Sequence, residues 1–266
     1  MNDMEDEVET ATNVVHFSSG DFDRQERLER LEAAASAIFR VEPADKGSDI
    51  FADWTLWQAK DLVFSKIAFS PFRFERNPKF SGQDQPLLLM ESYSSGTGHA
   101  EIEDRSASIG PNGLHLIDLT RRYRNTATMS VVYGALIPHD AVSYDPGLHP
   151  PYVSLSVDTP VGRSLISAFQ AVLSRLPTAF GDDAATLASG LSAVIRDLIL
   201  ANNREADRSV FRGALALSVR AYIDANLHDP TLNVAKLYRT FGVSRATLYR
   251  MLEEFGGIDA YVRARR

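Results

Sequence analysis

The residues best placed to do chemistry lie near the C-terminus, in the run VSRATLYRM. Arg245, Thr247, Tyr249 and Arg250 fall within two turns of one expected helix. Two guanidiniums and two hydroxyl-bearing side chains at that spacing can hydrogen-bond base edges and phosphates in a major groove. Elsewhere reactive residue types are sparse. There is no cysteine, which removes thiolate chemistry and disulfides. His99 with Glu101 on one segment and His115 after Pro111-x-Gly113 on another lack the His-x-His spacing of a metal-binding barrel, so neither a metal nor another cofactor is expected. The glycines of SSGTGHAE lead into a strand and not a helix, so they do not form a phosphate loop, and no Gly-x-Ser-x-Gly elbow occurs. These residues favour binding over catalysis, and the expectation is that the protein is not an enzyme.

The Arg245–Arg250 segment needs a mount, and the flanking sequence supplies one. Leu237, Val243, Leu248 and Met251 fall where two short helices would seal against each other. Gly242 occupies the turn between them, where positive φ costs little, and Ser244 is suited to cap the second helix, expected to run to about Phe255. Upstream, Phe211, Leu215, Val219, Ile223 and Leu227 mark a helix that ends at HDP, with Pro230 restarting the chain. Residues 209–266 carry nine basic and five acidic side chains, a balance of +4 where the whole chain carries -7, so the remainder is at -11. A basic module on an acidic body is suited to approach a polyanion.

The body divides by the period of its apolar residues. At 44% hydrophobic and 24% charged, the chain of 266 residues can bury a core and is neither low-complexity nor disordered in composition. Residues 1–20 read as an acidic solvated tail. Residues 21–40 read as an amphipathic helix with Phe22, Leu28, Leu31, Ala35 and Ile38 on one stripe. Between about 51 and 157, runs such as DLVFSKIAF, PLLLMESY, LHLIDL and MSVVYGALI alternate with turn segments at the spacing of an all-β unit. The resulting expectation is an α+β chain with an antiparallel jelly-roll-like barrel over 21–160. A helical hairpin follows over 161–205, ending in the polar linker NNREADRS, and the helix-turn-helix module spans 206–266. The hairpin's apolar faces exceed what one barrel requires, so Leu165, Phe169, Val172 and Leu173 are expected at a homodimer interface. No run approaches about 18 apolar residues, and the acidic N-terminus MNDMEDEVET does not resemble a signal peptide, so a cytoplasmic protein without membrane partners is expected.

Taken together, LYRTFGVSRATLYRMLEEFGGIDAYVRARR resembles the first helix-turn-helix of the AraC/XylS family of bacterial transcription regulators. The family pattern runs through a Gly-x-Ser turn, a Leu-x-Arg-x-Phe-like recognition helix and a Tyr-(Leu/Ile/Val)-x-x-Arg ending. The match covers about the last 55 residues. SPFRFERNP and GPNGLHLIDL are similar, more loosely, to the family's cupin-like sensor domain. The resemblance implies a sequence-specific, DNA-binding transcriptional regulator, an activator in the family's usual mode, with promoter or operator DNA, a small-molecule effector and a second copy as partners. It also assigns Arg250 to the family's arginine. Two departures are present: Tyr238 replaces a usually small residue, and a second helix-turn-helix, which family members join by a long helix, is not found before Arg266. The alternative is therefore a truncated protein that binds ligand or forms heterodimers without effective DNA binding.

An effector in such a barrel would sit in its mouth or interior, among apolar walls with a few polar anchors. Arg76, Tyr93, His115 and Tyr133 are the candidates on or beside strands. Arg76 matches an arginine the family often carries after the first barrel strand, although an ion pair at a domain surface would use it equally well. A single reading helix supplies few phosphate contacts, so this chain is expected to bind DNA weakly, with a steep salt dependence and little sequence preference. Titrating one promoter fragment against random competitor, at low and physiological salt, checks this. A version extended by a second helix-turn-helix should gain both affinity and specificity, and equal specificity in the two would overturn the expectation.

Overall fold

The structure, a computed structural model, describes residues 14–45, 47–77, 85–179, 181–200, 204–241, 243 and 245–265; at 181, 204–212, 245–246 and 254 the description is confined to the backbone. The β-rich part forms two antiparallel sheets. The larger contains β1 (Val14–Ser18), β3 (Ala52–Ala59), β4 (Leu62–Phe69), β6 (Leu87–Ser95), β9 (Gly113–Asp118), β11 (Ser130–Pro138) and β12 (Tyr152–Ser156), in the order β1-β3-β4-β11-β6-β9-β12. The smaller contains β2 (Arg40–Pro43), β5 (Phe72–Arg76), β7 (Gly98–Ile102), β8 (Arg105–Ile109) and β10 (Tyr123–Ala127), in the order β2-β5-β10-β7-β8. The expected jelly-roll-like barrel takes the form of two antiparallel sheets that do not close on each other.

Strand sequences dictate this layering. In β7, GHAEI alternates buried and exposed residues, as one half-solvated face requires, and His99 and Glu101 point to water. In β9, GLHLID is buried throughout, because its sheet is covered on both sides. One cover is the smaller sheet: Phe69, Phe72, Tyr93, Ile102, Ile117 and Tyr123 share the core between the sheets. A short helix, α1 (Arg27–Ala35), closes one end of that core with Leu31, and it is about half the length its stripe suggests. The other cover is helical: α2 (Pro160–Arg175) and α3 (Gly181–Ile199). Thr159 caps α2 by accepting from the Gly162 amide at 3.0 Å, and Pro160 sits in the first turn, where its missing donor costs nothing.

The covering helices correct the expected interface. Leu165, Phe169 and Val172 are 0% exposed and Leu173 is 6% exposed, packed with Phe64, Met90 and Leu114 of the larger sheet and with Leu217 of the following helix. The broad apolar stripe exists because α2 has the sheet and other helices to cover at once. Those four residues cannot meet a second copy, and any self-association must use other surface. The N-terminal segment is corrected as well. Val14–Ser18 pairs along its length with β3, while residues 1–13 lie outside the described residues.

The C-terminal part begins earlier than expected. The segment read as a linker enters α4 (Arg204–Ala225), which packs against both α2 and α3. Leu215, Val219 and Ile223 of α4 form a separate small core with Leu237 of α5 (Val234–Phe241), Leu248 of α6 (Arg245–Met251), and Ile258 and Tyr261 of α7 (Ile258–Arg265). Val243 and Met251 pack against the same core. The expected turn glycine Gly242 and cap Ser244 lie outside the described residues. Helix α6 ends at Met251 and not near Phe255, a 3₁₀ turn at Glu253–Phe255 intervening before Gly256 and Gly257 reverse the chain with φ of +76° and +91°. Arg265 then ties α7 back to the body. Its Nη1 and Nη2 each donate to Asp183 of α3 at 2.9 Å, and its Nε donates to Asp224 of α4 at 3.1 Å. The Tyr261 hydroxyl donates to the same Asp224 at 3.2 Å.

Because Phe169 fills the seam between sheet and helices, Phe169→Ala should destabilise the protein by about 3–5 kcal/mol. Urea denaturation followed by far-UV circular dichroism measures this. An unchanged midpoint would mean that the helices do not pack on the sheet as described.

Candidate functional site

Alternation along β6 decides which side chains enter the space between the sheets. Leu88, Met90 and Ser92 face the helices, whereas Leu87, Leu89, Glu91 and Tyr93 face inward. Leu89 belongs to an apolar chamber of about 160 Å³ under α1, walled by Leu31, Ile38, Trp54, Phe69 and Phe74. Glu91, two residues further along the same face, begins a polar cluster. Its cross-strand partner on β9 is His115, and β10, opposite, contributes Tyr123 and Asn125.

The cluster is buried and only partly satisfied. Asn125 Nδ2 donates to the Tyr93 hydroxyl at 3.0 Å, and His115 Nδ1 lies 2.9 Å from the hydroxyl of Tyr152 on β12. Asn125 Oδ1 and Glu91 Oε1 are buried with no hydrogen-bond partner among the described residues. A Cβ at Gly98 would lie 2.5 Å from Asn125 Oδ1, so glycine is required there for the amide to take this position. Burial, only partly opposed by a hydrogen bond from Tyr123, pushes the Glu91 carboxyl up to about 8. Burial likewise raises the phenols of Tyr93 and Tyr123 and lowers His115, which keeps the imidazole neutral. At neutral pH the interior therefore offers a protonated carboxyl, phenols, an imidazole and an amide oxygen beside an apolar chamber. Such a set can orient a small molecule by hydrogen bonds. Among the described residues no group of three or more His, Cys, Asp or Glu could hold a metal ion.

Of the four effector candidates, Tyr93 and His115 meet in this cluster and two do not. Arg76 is 5% exposed, and its Nε and Nη1 donate to the carbonyls of Leu119 at 2.8 Å and Ile38 at 2.7 Å. It braces the chain after α1 against the end of β9. Tyr133 lies on the helix-covered face of the larger sheet with Ala135 and Ile137, across the sheet from Tyr93. Glu91, Tyr123, Asn125 and Tyr152 escaped sequence reasoning. The inward parity of Leu87 and Leu89 in PLLLMESY was the signal that could have found Glu91.

The second candidate surface is α6. Tyr249 is 47% exposed and Arg250 is exposed, whereas Thr247 is half-buried against the module. The side chain of Arg245 lies outside the described residues. Arg239 of α5 and Arg263 of α7 are also exposed on this module.

No protein-family model and no curated protein sequence matches the chain. Among solved structures, the fold is similar to that of the AraC-like transcriptional activator CuxR, with a TM-score of 0.61 at 20% identity over 96% of this chain and 93% of that one. Apo ToxT from Vibrio cholerae aligns at a TM-score of 0.36 and 10% identity, over 77% and 79% of the two chains. A cupin-2 domain from Rhodospirillum rubrum aligns at 0.27 and 11% identity, over 37% and 69%. At a TM-score of 0.61 the chain shares the overall fold of the first of these structures. Among the described residues no helix is long and apolar enough to cross a membrane.

Glu91 makes stability pH-dependent. Its folded-state value of about 8 lies above the ordinary 4.5, so the native state binds the extra proton, and stability falls as pH rises from about 4.5 to 8. This one group contributes a slope of at most about 1.4 kcal/mol per pH unit. Glu91→Gln, a neutral mimic of the protonated form, should remove that contribution. Parallel pH series of urea midpoints for both proteins test this, and identical slopes would mean that Glu91 ionises freely in the fold.

Proposed function

We propose that this protein is a transcription regulator of the AraC-like kind. In this reading α6 docks in the major groove of promoter DNA, and the space between the two sheets receives a small effector. The observation that carries the proposal is the similarity of the whole fold to an AraC-like activator over 96% of the chain. It is supported by the basic balance of residues 209–266 and by the exposure of Tyr249 and Arg250 on a helix mounted over its own core.

The division of labour follows from the chemistry. Phosphates draw the basic module to the duplex without reading sequence, and side chains of α6 at the groove floor discriminate base edges. Arg250 is assigned a base or phosphate contact, and Arg245, one and a half turns earlier on the same helix, is assigned another. The effector is assigned to the cluster of Glu91, Tyr93, His115 and Asn125, whose unsatisfied oxygens accept its donors while the chamber beneath α1 takes its apolar part. No catalytic step belongs to this reading, and the protein acts in the cytoplasm, where the chromosome is.

Arg250→Ala should weaken binding to the cognate promoter fragment by about 1–3 kcal/mol, roughly five- to 150-fold, with circular dichroism verifying that the variant folds. Fluorescence anisotropy at physiological salt measures the affinity. Wild-type affinity in a double Arg245→Ala, Arg250→Ala variant would show that α6 does not enter the groove.

A further inference from the structure

A second polar site lies on the other face of the larger sheet. Strand pairing places His16, Thr55, Lys66, Tyr133 and Ser92 in one row across β1, β3, β4, β11 and β6. Beyond the apolar rows that α2 covers, Thr55, Lys66, Tyr133 and Ser92 of this row form the floor of a groove of about 720 Å³. Trp57 and Leu173 form its apolar side, and Gln170 and Ser174 of α2 form its rim. Among the described residues no carboxylate lines it.

Part of the groove's polar lining is already engaged: Thr55 Oγ1 lies 3.4 Å from His16 Nδ1, and Ser174 Oγ donates to the Ala171 carbonyl at 2.8 Å. The Lys66 ammonium and the Tyr133 hydroxyl have no hydrogen-bond or ion-pair partner among the described residues. Ser92 is only 5% exposed, and its hydroxyl too has no partner among them. Hydroxyl, ammonium and carboxamide groups bordering one groove beside an indole are complementary to a ligand with several hydroxyls and one negative charge. The indole takes the C–H face of such a ligand, the hydroxyls and Gln170 exchange hydrogen bonds with its own hydroxyls, and Lys66 pairs with its anionic group.

We propose that this groove binds a small polyhydroxylated anion, a sugar acid or a sugar phosphate. Tyr133 and Ser92 face away from Glu91, so the groove lies across the sheet from the interior carboxyl, and Tyr93 borders both. The site is independent of the DNA-binding reading. A ligand held by Gln170 and Ser174 would bear on α2, which packs along α4 and so reaches the C-terminal module.

Titrations of the full chain with D-galacturonate, D-glucose 6-phosphate and D-glucose test the proposal, read by tryptophan emission and by isothermal calorimetry. The chain has two tryptophans; Trp57 lines the groove, and Trp54 stacks on Phe17 with ring centres 4.3 Å apart. Saturable binding of the carboxylate or of the phosphate is expected, at least tenfold tighter than glucose; which of the two binds better identifies the anionic group. Lys66→Met should abolish that preference, Ser92→Ala should weaken binding several-fold, and Glu91→Gln should leave it unchanged. Circular dichroism verifies that each variant folds. Absence of saturation by either anion up to about 50 mM, far weaker than a specific metabolite site, would overturn the proposal. So would a Lys66→Met protein that binds like wild type, or loss of binding in Glu91→Gln, which would move the site to the interior.

Discussion

Helix α4 has to be buried from two directions, and the arrangement of the other parts follows from that. Ala214 and Leu217 belong to the core made by the larger sheet with α2 and α3, while Leu215, Val219 and Ile223 belong to the core of the C-terminal module. A helix with one apolar stripe can leave its domain; a helix with two cannot rotate or slide without exposing one of them. Gly190 permits the close approach on the first side, since a Cβ there would lie 3.1 Å from the Leu217 side chain. Ser218, buried within α4, satisfies its hydroxyl on the Ala214 carbonyl at 2.9 Å and so adds no demand for another partner. The β-rich body and the small helical module are therefore joined by a rigid shared element, and a shift in α2 or α3 is felt at α4 as a packing change.

Much of this was legible in the sequence wherever the pattern carried its own period. The strands β4, β6 to β9, β11 and β12, the α2–α3 pair and the α5–α6 pair are local signals, whereas FRFER of β5 and YRNTA of β10 did not stand out as strands. The parts that were not legible depend on pairings distant along the chain. Val14–Ser18 is a five-residue run after an acidic stretch, and it is a strand only because β3 offers an edge. The stripe of Leu165, Phe169 and Val172 said that something apolar covers α2; it could not say whether that cover is a second copy or the chain's own sheet. Tyr93 and Tyr133 both sit in strands of similar composition. They face opposite sides because the pairing of β6 with β11 sets Val132, not Tyr133, opposite Tyr93, which single-strand periodicity does not reveal.

The sheet common to these tyrosines separates two chemical environments. On its inner face, a neutral carboxyl and an orphaned amide oxygen lie in a dry space where each unmatched hydrogen bond is expensive. On its outer face, hydroxyls and an ammonium border a wet groove where matching is cheaper and charge is screened. Both faces adjoin elements that lead to α4: the inner through the packing of β6 and β9, the outer through α2. A single sheet thus carries two polar environments that differ in solvation.

Arg265 gives ionic strength a second point of action. The guanidinium holds α7 to Asp183 and Asp224, whose side chains are 43% and 10% exposed, so at least the first of these ion pairs is open to screening by dissolved salt. Counterion release at a phosphate backbone depends on the number of cations that touch it, and it is ordinarily read straight from a log–log plot. In this protein, raising salt also slackens the strut that fixes the module's orientation. The slope of such a plot would then combine ions displaced from DNA with ions taken up by Asp183 and Arg265, and a phosphate count taken from it would be biased by the protein's own internal charge pair.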